Sequence, residues 1–410
     1  MAAQALPAIS ETTAVGTTRL VLATDSFLPH AGGSRVYYYE LYKNLVERHP
    51  YNVTVMTGKV SGWEEFDQHE QNERFRIQRP TVPMVDWRIQ RLPQMMPAMA
   101  HLYRELGRGQ CDQLHCGDLF PQALGGALAH PFWRKPLLIF CHGDEISQTN
   151  QRRLQPKIRD RVYRQAGALV AANEFARKAL LALGVEERRI FKILPGVNSH
   201  RFKPSPRRSD LIEKFGLANR PVILTAARLV PRKGVQTILA AMPEILRECP
   251  SAKYLIVGDG PQRQELEASV QQMGIGEAVV FAGNVPPSEM SDYYNLCDVF
   301  AMANRTEAGG DIESFGMVFV EANAHGKPAI GGRSGGTDEA IVEGKTGFLC
   351  ESDDPAAFAK AIKSLLRDHN LRNTLGANGL ARVLTDFRWT SRADQFHEVL
   401  NLLSQREGAR

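Results

Sequence analysis

The chain lacks any long apolar run, any closely paired cysteines, and the motifs of a P-loop, a zinc protease or an EF-hand. No stretch approaches the roughly 18 consecutive apolar residues that a membrane-spanning helix needs. Six cysteines are scattered with no CxxC pair, which argues against a zinc ribbon or a redox motif and for buried thiols in a reducing compartment. Residues 1–17 have neither a basic n-region nor an apolar h-region, so they read as a loose polar leader rather than a signal peptide. Charge of one sign is scarce too. Fifty Lys and Arg against 45 Asp and Glu give +5, which permits an anionic substrate or a membrane surface but gives no reason to expect nucleic acid.

What is present is a globular composition, 43% hydrophobic and 23% charged over 410 residues. That length exceeds one ordinary core and points to two domains. Short β-branched runs alternate with longer amphipathic stretches: residues 19–24, 52–57, 137–142, 168–173 and 189–195. The rhythm restarts at 221–227, 253–260, 278–284, 298–303 and 327–332. Strands separated by helix-length segments imply parallel sheets covered by helices. The fold class is therefore α/β, with two Rossmann-like, doubly wound parallel-sheet domains facing a cleft. We place them at residues 18–198 and 199–386, joined through a Pro-rich basic segment at 194–209, with a closing helical segment at 387–410.

Ligands bind open parallel sheets beyond the carboxyl ends of the strands, and four such loops carry candidate chemistry. In SFLPHAGGSR, Gly32 and Gly33 remove two side chains where a helix begins, so a phosphate could approach bare N–H groups; a plain tight turn explains them equally. In CHGDE, His142 ends an apolar run and would face the cleft as a proton donor or acceptor, or else sit hydrogen-bonded in the core. Asp144 and Glu145 suit the cap of the next turn. In ARLVPRKGV, Arg228, Arg232 and Lys233 precede a helix. Cations there oppose the helix dipole unless an anion sits among them. The fourth loop is residues 309–328, GGDIESFGMVFVEANAHGKP. Ser314 suits an N-cap for a helix from about Phe315 that stops at Gly326, with Glu313 just outside it and Glu321 nearly two turns in. A nucleotide-sugar, with hydroxyls on both sides of a diphosphate, would use both carboxylates; one exposed and one capping glutamate is the equal alternative.

GGRSGG at 331–336 matches the G-x-S-x-G nucleophile pattern at Ser334, with His369 and His397 downstream in triad order, so a serine hydrolase is a lawful rival. It leaves both glutamates and the Arg228/Lys233 pair without a role.

These residues resemble glycosyltransferase family 4, retaining enzymes of the two-Rossmann-domain GT-B fold. Glu313 and Glu321 fit its Glu-x7-Glu signature, followed by the frame from Ala322 to Pro328; Arg228-x4-Lys233-Gly234, Gly258-Asp259-Gly260-Pro261 and Pro195-Gly196-Val197-Asn198 fit further motifs. The closing Phe387-Arg388-Trp389 segment is similar to the family's helix that crosses back to the first domain. The resemblance implies that Gly32 and Gly33 contact the donor diphosphate from one side and Arg228 and Lys233 from the other. It implies that Glu313 bonds donor-sugar hydroxyls, that Glu321 binds ribose, and that His142 faces the reacting centre. N–H groups near Ser314, Phe315, Gly316 and Met317 would meet phosphate and sugar, and the base pocket would lie around Phe281 to Val285. Asn198 stands where the linker motif usually has aspartate.

Within the family, the RLVPRKG, DIESFG and GGRSGG stretches look most like mannosyltransferases related to phosphatidylinositol mannosyltransferase B′. The expected activity is therefore hexosyl transfer, with GDP-mannose preferred as donor over UDP-linked hexoses and a lipid-linked or glycan acceptor. No Asp-x-Asp metal motif appears in the cleft loops, so no metal and no cofactor are expected. The expected location is cytoplasmic, peripheral at the inner face of the plasma membrane. Residues 86–104 and the basic run 151–164 would rest on an anionic membrane, or form a solvated helix face.

Overall fold

The computed structural model of the chain describes residues 17–30, 32–80, 92–143, 146 and 155–408. Most of the leader, Asp144, Glu145 and parts of both basic segments lie outside these residues.

Thirteen strands are described, in two all-parallel sheets. The first holds β1 (Thr18–Ala23), β2 (Tyr51–Met56), β3 (Phe75–Gln78), β4 (Gln113–Cys116), β5 (Leu137–Cys141), β6 (Ala168–Ala171) and β7 (Ile190–Lys192), in the order β3-β2-β1-β4-β5-β6-β7. The second holds β8 (Val222–Ala226), β9 (Lys253–Val257), β10 (Val279–Gly283), β11 (Val299–Met302), β12 (Ala329–Gly332) and β13 (Gly347–Cys350), in the order β10-β9-β8-β11-β12-β13. Helices cover both faces of each sheet, so central strands such as β5 and β8 are buried along their whole length and read as unbroken apolar runs. Strands β3, β4 and β13 went unread in the sequence, because QLHC, FRIQ and GFLC are short and partly polar.

Order fixes where a ligand can go. In each sheet the chain reverses direction of growth between two neighbouring strands, β1/β4 and β8/β11, and loops leaving those pairs diverge to open a crevice. The loop carrying Gly32 and Gly33 follows β1; the loops carrying Lys233 and Glu313 follow β8 and β11.

The last helix, Trp389–Gly408, returns to the first domain. It packs along helix Gly33–Arg48 and contributes Trp389, Phe396, Leu400 and Leu403 to the same core as Tyr38, Leu41, Tyr42 and Leu45. Each such side chain contributes roughly 1.5–3 kcal/mol by burial, so the helix is fastened to the first domain. All six cysteines are free thiols, five of them buried.

Candidate functional site

Helix Met317–Ala324 organises the second-domain half of the site. Its N-cap is Gly316 at φ 80°, two residues later than the Ser314 cap expected from sequence. The reason is tertiary: the Ser314 hydroxyl donates to the His142 carbonyl at 2.6 Å and accepts from Asn173 Nδ2 at 3.0 Å, so it is engaged across the cleft. The first N–H groups of the helix have no intrahelical acceptor and point toward the crevice end of the sheet. Phe315 turns inward and packs near Phe387, 5.9 Å between ring centres, which leaves only its backbone for a ligand.

Glu313 lies just before that helix and is buried. Both neighbouring cations reach it. Arg232 Nη1 donates to its Oε2 at 2.8 Å, and the Lys233 ammonium donates to the same oxygen; Arg232 Nε also lies 3.3 Å from Asp311. Lys233 and Glu313 therefore form a pair and do not face each other across an open gap. The carboxylate is the anion that the basic loop required. Burial opposes the charge on Glu313, but Lys233 and Arg232 together outweigh it and hold its pKa below the ordinary carboxylate value. Burial also lowers Lys233, assisted by Arg232 and opposed by Glu313. Gly234, at φ 63°, makes the approach possible: a Cβ there would lie 1.9 Å from the Ala303 carbonyl oxygen.

Arg228 stands apart. It is exposed, and its guanidinium makes no hydrogen bond or ion pair with the described residues. It lies near enough to the first-domain loop to act on His30, whose pKa is lowered by partial burial, then by Arg35 and Arg228. Two cations, Arg232 and Lys233, thus gather beside Glu313 and Asp311, with Arg228 apart from them.

From the first domain come Gly32, Gly33 and His142. Helix Gly33–Arg48 starts at extended Gly32, with no side-chain cap and no acid in its first turn; a Cβ on Gly33 would lie 3.9 Å from Met317 Sδ, so the two helix N-termini face each other. His142 follows β5, nearly buried, with Nε2 2.7 Å from Tyr38 Oη. Tyr38 donates its single proton to the Gly117 carbonyl at 2.7 Å. The Tyr38 oxygen is thereby left to accept from His142 Nε2–H.

Glu321 lies apart from this cluster, lower on its helix, where Tyr294 Oη donates to its Oε2 at 2.7 Å. Burial raises its pKa against the pull of Tyr294 and Arg201. Val285 is half-buried beyond β10, beside the second-domain core. The sequence signal missed Arg232 as a partner of Glu313, Tyr38 as a partner of His142, and Asn173. Each is set by distant elements meeting, which spacing does not record.

The hydrolase triad is not assembled. Ser334 Oγ pairs with Thr306 Oγ1 at 2.9 Å, His369 with Arg372, and His397 stacks on His49 at 4.0 Å in the last helix. Among the described residues no group of three or more His, Cys, Asp or Glu is placed to hold a metal ion, and no helix is long and apolar enough to cross a membrane.

Residues 208–382 match the family model for glycosyl transferases group 1, and residues 31–201 that for glycosyltransferase family 4. The chain is 32% identical over 385 residues to a GDP-mannose-dependent alpha-(1-6)-phosphatidylinositol monomannoside mannosyltransferase of Mycolicibacterium smegmatis, covering 93% of this chain and 98% of the relative. A Mycobacterium tuberculosis protein of the same description is 30% identical, with the same coverage. Among solved structures, HepE from Anabaena with UDP and glucose superposes at a TM-score of 0.78 over 94% of this chain and 99% of that one; its 21% identity makes this a likeness of fold.

Proposed function

The chain belongs to glycosyltransferase family 4, and on that premise we propose that it transfers mannose from GDP-mannose to a phosphatidylinositol-based glycolipid, without a metal and with retention at the anomeric carbon. The names of the 30–32% identical relatives support the donor and the acceptor class. The observation that carries the mechanism is the cationic cluster at the β8/β11 crevice, where Lys233 and Arg232 meet Glu313 and Arg228 stands exposed.

The chemistry requires charge management. As the bond from the anomeric carbon to the diphosphate breaks, negative charge grows on the leaving oxygen. Arg228, Lys233 and the N-terminus of helix Met317–Ala324 would stabilise that charge in place, which is the arrangement that accelerates such a step most. Those cations supply what a divalent ion would otherwise supply. Glu313, held by two cations, would accept hydrogen bonds from sugar hydroxyls, and His142 would face the reacting centre from the first domain. Among the described residues no side chain stands out as a nucleophile, so the leaving phosphate would take the acceptor's proton as the new bond forms on the same face.

Peripheral membrane contact fits a lipid acceptor. Three neighbouring first-domain helices, Leu92–Gly107, Leu124–Trp133 and Gln155–Gln165, expose Tyr103, Leu128, Phe132 and Ile158, with Phe132 91% exposed. Arg104, Arg108, Arg134, Lys135, Lys157 and Arg161 are exposed on or beside the same helices. Apolar side chains rimmed by basic ones suit the cytoplasmic face of an anionic bilayer.

Incubation of the protein with GDP-mannose and phosphatidylinositol monomannoside in vesicles, with and without EDTA, tests the reading. Equal transfer in EDTA and an α-linked product by NMR are expected. Strict dependence on Mg or Mn, or a β-linked product, would contradict it.

A further inference from the structure

A second feature joins the domains beside the cluster, and it uses a residue with no evident chemistry of its own. Asn173 follows β6, is fully buried, and caps helix Glu174–Ala182 by accepting from the Ala176 N–H at 2.7 Å. That role occupies only its Oδ1. The two hydrogens of its Nδ2 are shared among three acceptors: the His142 carbonyl at 3.1 Å, the Ser314 carbonyl at 2.6 Å and Ser314 Oγ at 3.0 Å. Ser314 closes the knot by donating to the same His142 carbonyl at 2.6 Å. One amide thus ties the backbone of His142 to the residue adjoining Glu313.

The packing around the knot allows no slack. Gly335 and Gly336, from the GGRSGG loop, lie flat against it. A Cβ on Gly335 would stand 1.8 Å from the Glu313 carbonyl oxygen, and one on Gly336 2.5 Å from the Ser314 oxygen and 3.1 Å from Asn173 Cβ. These two glycines serve to bring their loop against the backbone of Glu313 and Ser314 within the second domain, and Gly336 leaves room there for the Asn173 side chain of the first. Around this centre Glu339 spans the same seam: it accepts from the Glu174 N–H, and Lys192 Nζ lies 2.9 Å from its Oε1.

We propose that Asn173 is a positioning residue that sets His142 and Glu313 in register with each other when the domains close. The inference rests on the glycosyl-transfer reading of the site. Its physical content is that a hydrogen-bonded seam selects one relative placement of the two half-sites, and transfer requires groups from both. Donor-nucleotide binding draws on Arg228 and Lys233 of the second domain, so it depends little on the seam.

The helix cap separates this role from a merely structural one. Asn173→Asp keeps a side-chain oxygen for the Ala176 N–H, since aspartate caps as well as asparagine, but sets an acceptor against the carbonyls of Ser314 and His142. Ser314→Ala cuts the same knot from the other domain. Each variant is expected to lower kcat for transfer from GDP-mannose about tenfold or more, the effect of losing one or two well-placed hydrogen bonds, while the calorimetric Kd for GDP stays within about threefold. The double variant should be no worse than about the weaker single one, because both break one unit. A kcat within twofold of the unaltered protein in either folded variant overturns the proposal. So does a parallel loss of kcat and GDP affinity. Should Asn173→Asp not fold, Ser314→Ala alone decides. Failure of the unaltered protein to bind GDP counts against the donor reading and is a separate outcome.

Discussion

Lys233 has to be charged to hold a diphosphate and buried to be placed beside Glu313, and these two demands oppose each other. Burial lowers its pKa from the ordinary lysine value of 10.5, so its ammonium is lost at lower pH than that of an exposed lysine. GDP affinity is therefore expected to fall on the alkaline side before an ordinary lysine would titrate, and Lys233→Arg, always charged, should move that limb upward. Titration calorimetry across the alkaline range checks this; an unshifted limb in Lys233→Arg would assign the loss to another group. Glu313 runs the opposite way. Its depressed pKa means that the pair's contribution is fully present above the ordinary carboxylate value and is lost only as pH falls through the lower folded-state value. Lys233→Ala leaves Arg232 on Glu313 and removes one of the cations aimed at the leaving phosphate. About 10²–10³-fold lower turnover is expected, the scale for removing one preorganised electrostatic group.

The loops around the crevice depend on positions with no side chain. At Gly234 the backbone holds a positive φ and passes the Ala303 carbonyl so closely that Gly234→Ala cannot be accommodated without moving the loop. That variant should lower the thermal midpoint and weaken GDP binding together, whereas Lys233→Ala should weaken binding with little change in midpoint. Differential scanning calorimetry with and without GDP separates the two. Elements of this kind also mark how far sequence reading reaches. The long buried strands β5 and β8 announce themselves as apolar runs, and Gly326 stops its helix as its position implies. Strand β4 does not, because His115 inside it is a buried partner of Tyr42, 2.5 Å away, and reads locally as a loop residue. Ser314 read as a cap for the same reason: a serine before a helix satisfies the local rule, and only the second domain's contact with His142 and Asn173 shows where its hydroxyl goes. Lys233 and Glu313 were both legible as site residues, but their direct pairing was not, since it arises from β8 and β11 lying side by side.

Across the whole molecule, two sheets are presented with their crevices facing, and the last helix fastens the arrangement by returning to the first core. Tyr103, Leu128, Phe132 and Ile158 are exposed on the first domain, whereas the cationic cluster belongs to the second, so lipid contact and donor contact are separable. Phe132→Ser should reduce co-sedimentation with phosphatidylinositol-rich vesicles and leave GDP binding unchanged; undiminished sedimentation would dismiss the helix Leu124–Trp133 as a contact. The central claim, that a guanosine diphosphate sugar is held by the Lys233–Glu313 cluster, is tested most directly by calorimetric titration of GDP, UDP and ADP into the intact protein and into Lys233→Ala. GDP is expected to bind most tightly, and Lys233→Ala to weaken it at least about tenfold, roughly the worth of one charge-assisted contact. Tighter binding of UDP or ADP, or GDP affinity unaltered in Lys233→Ala, would contradict that claim.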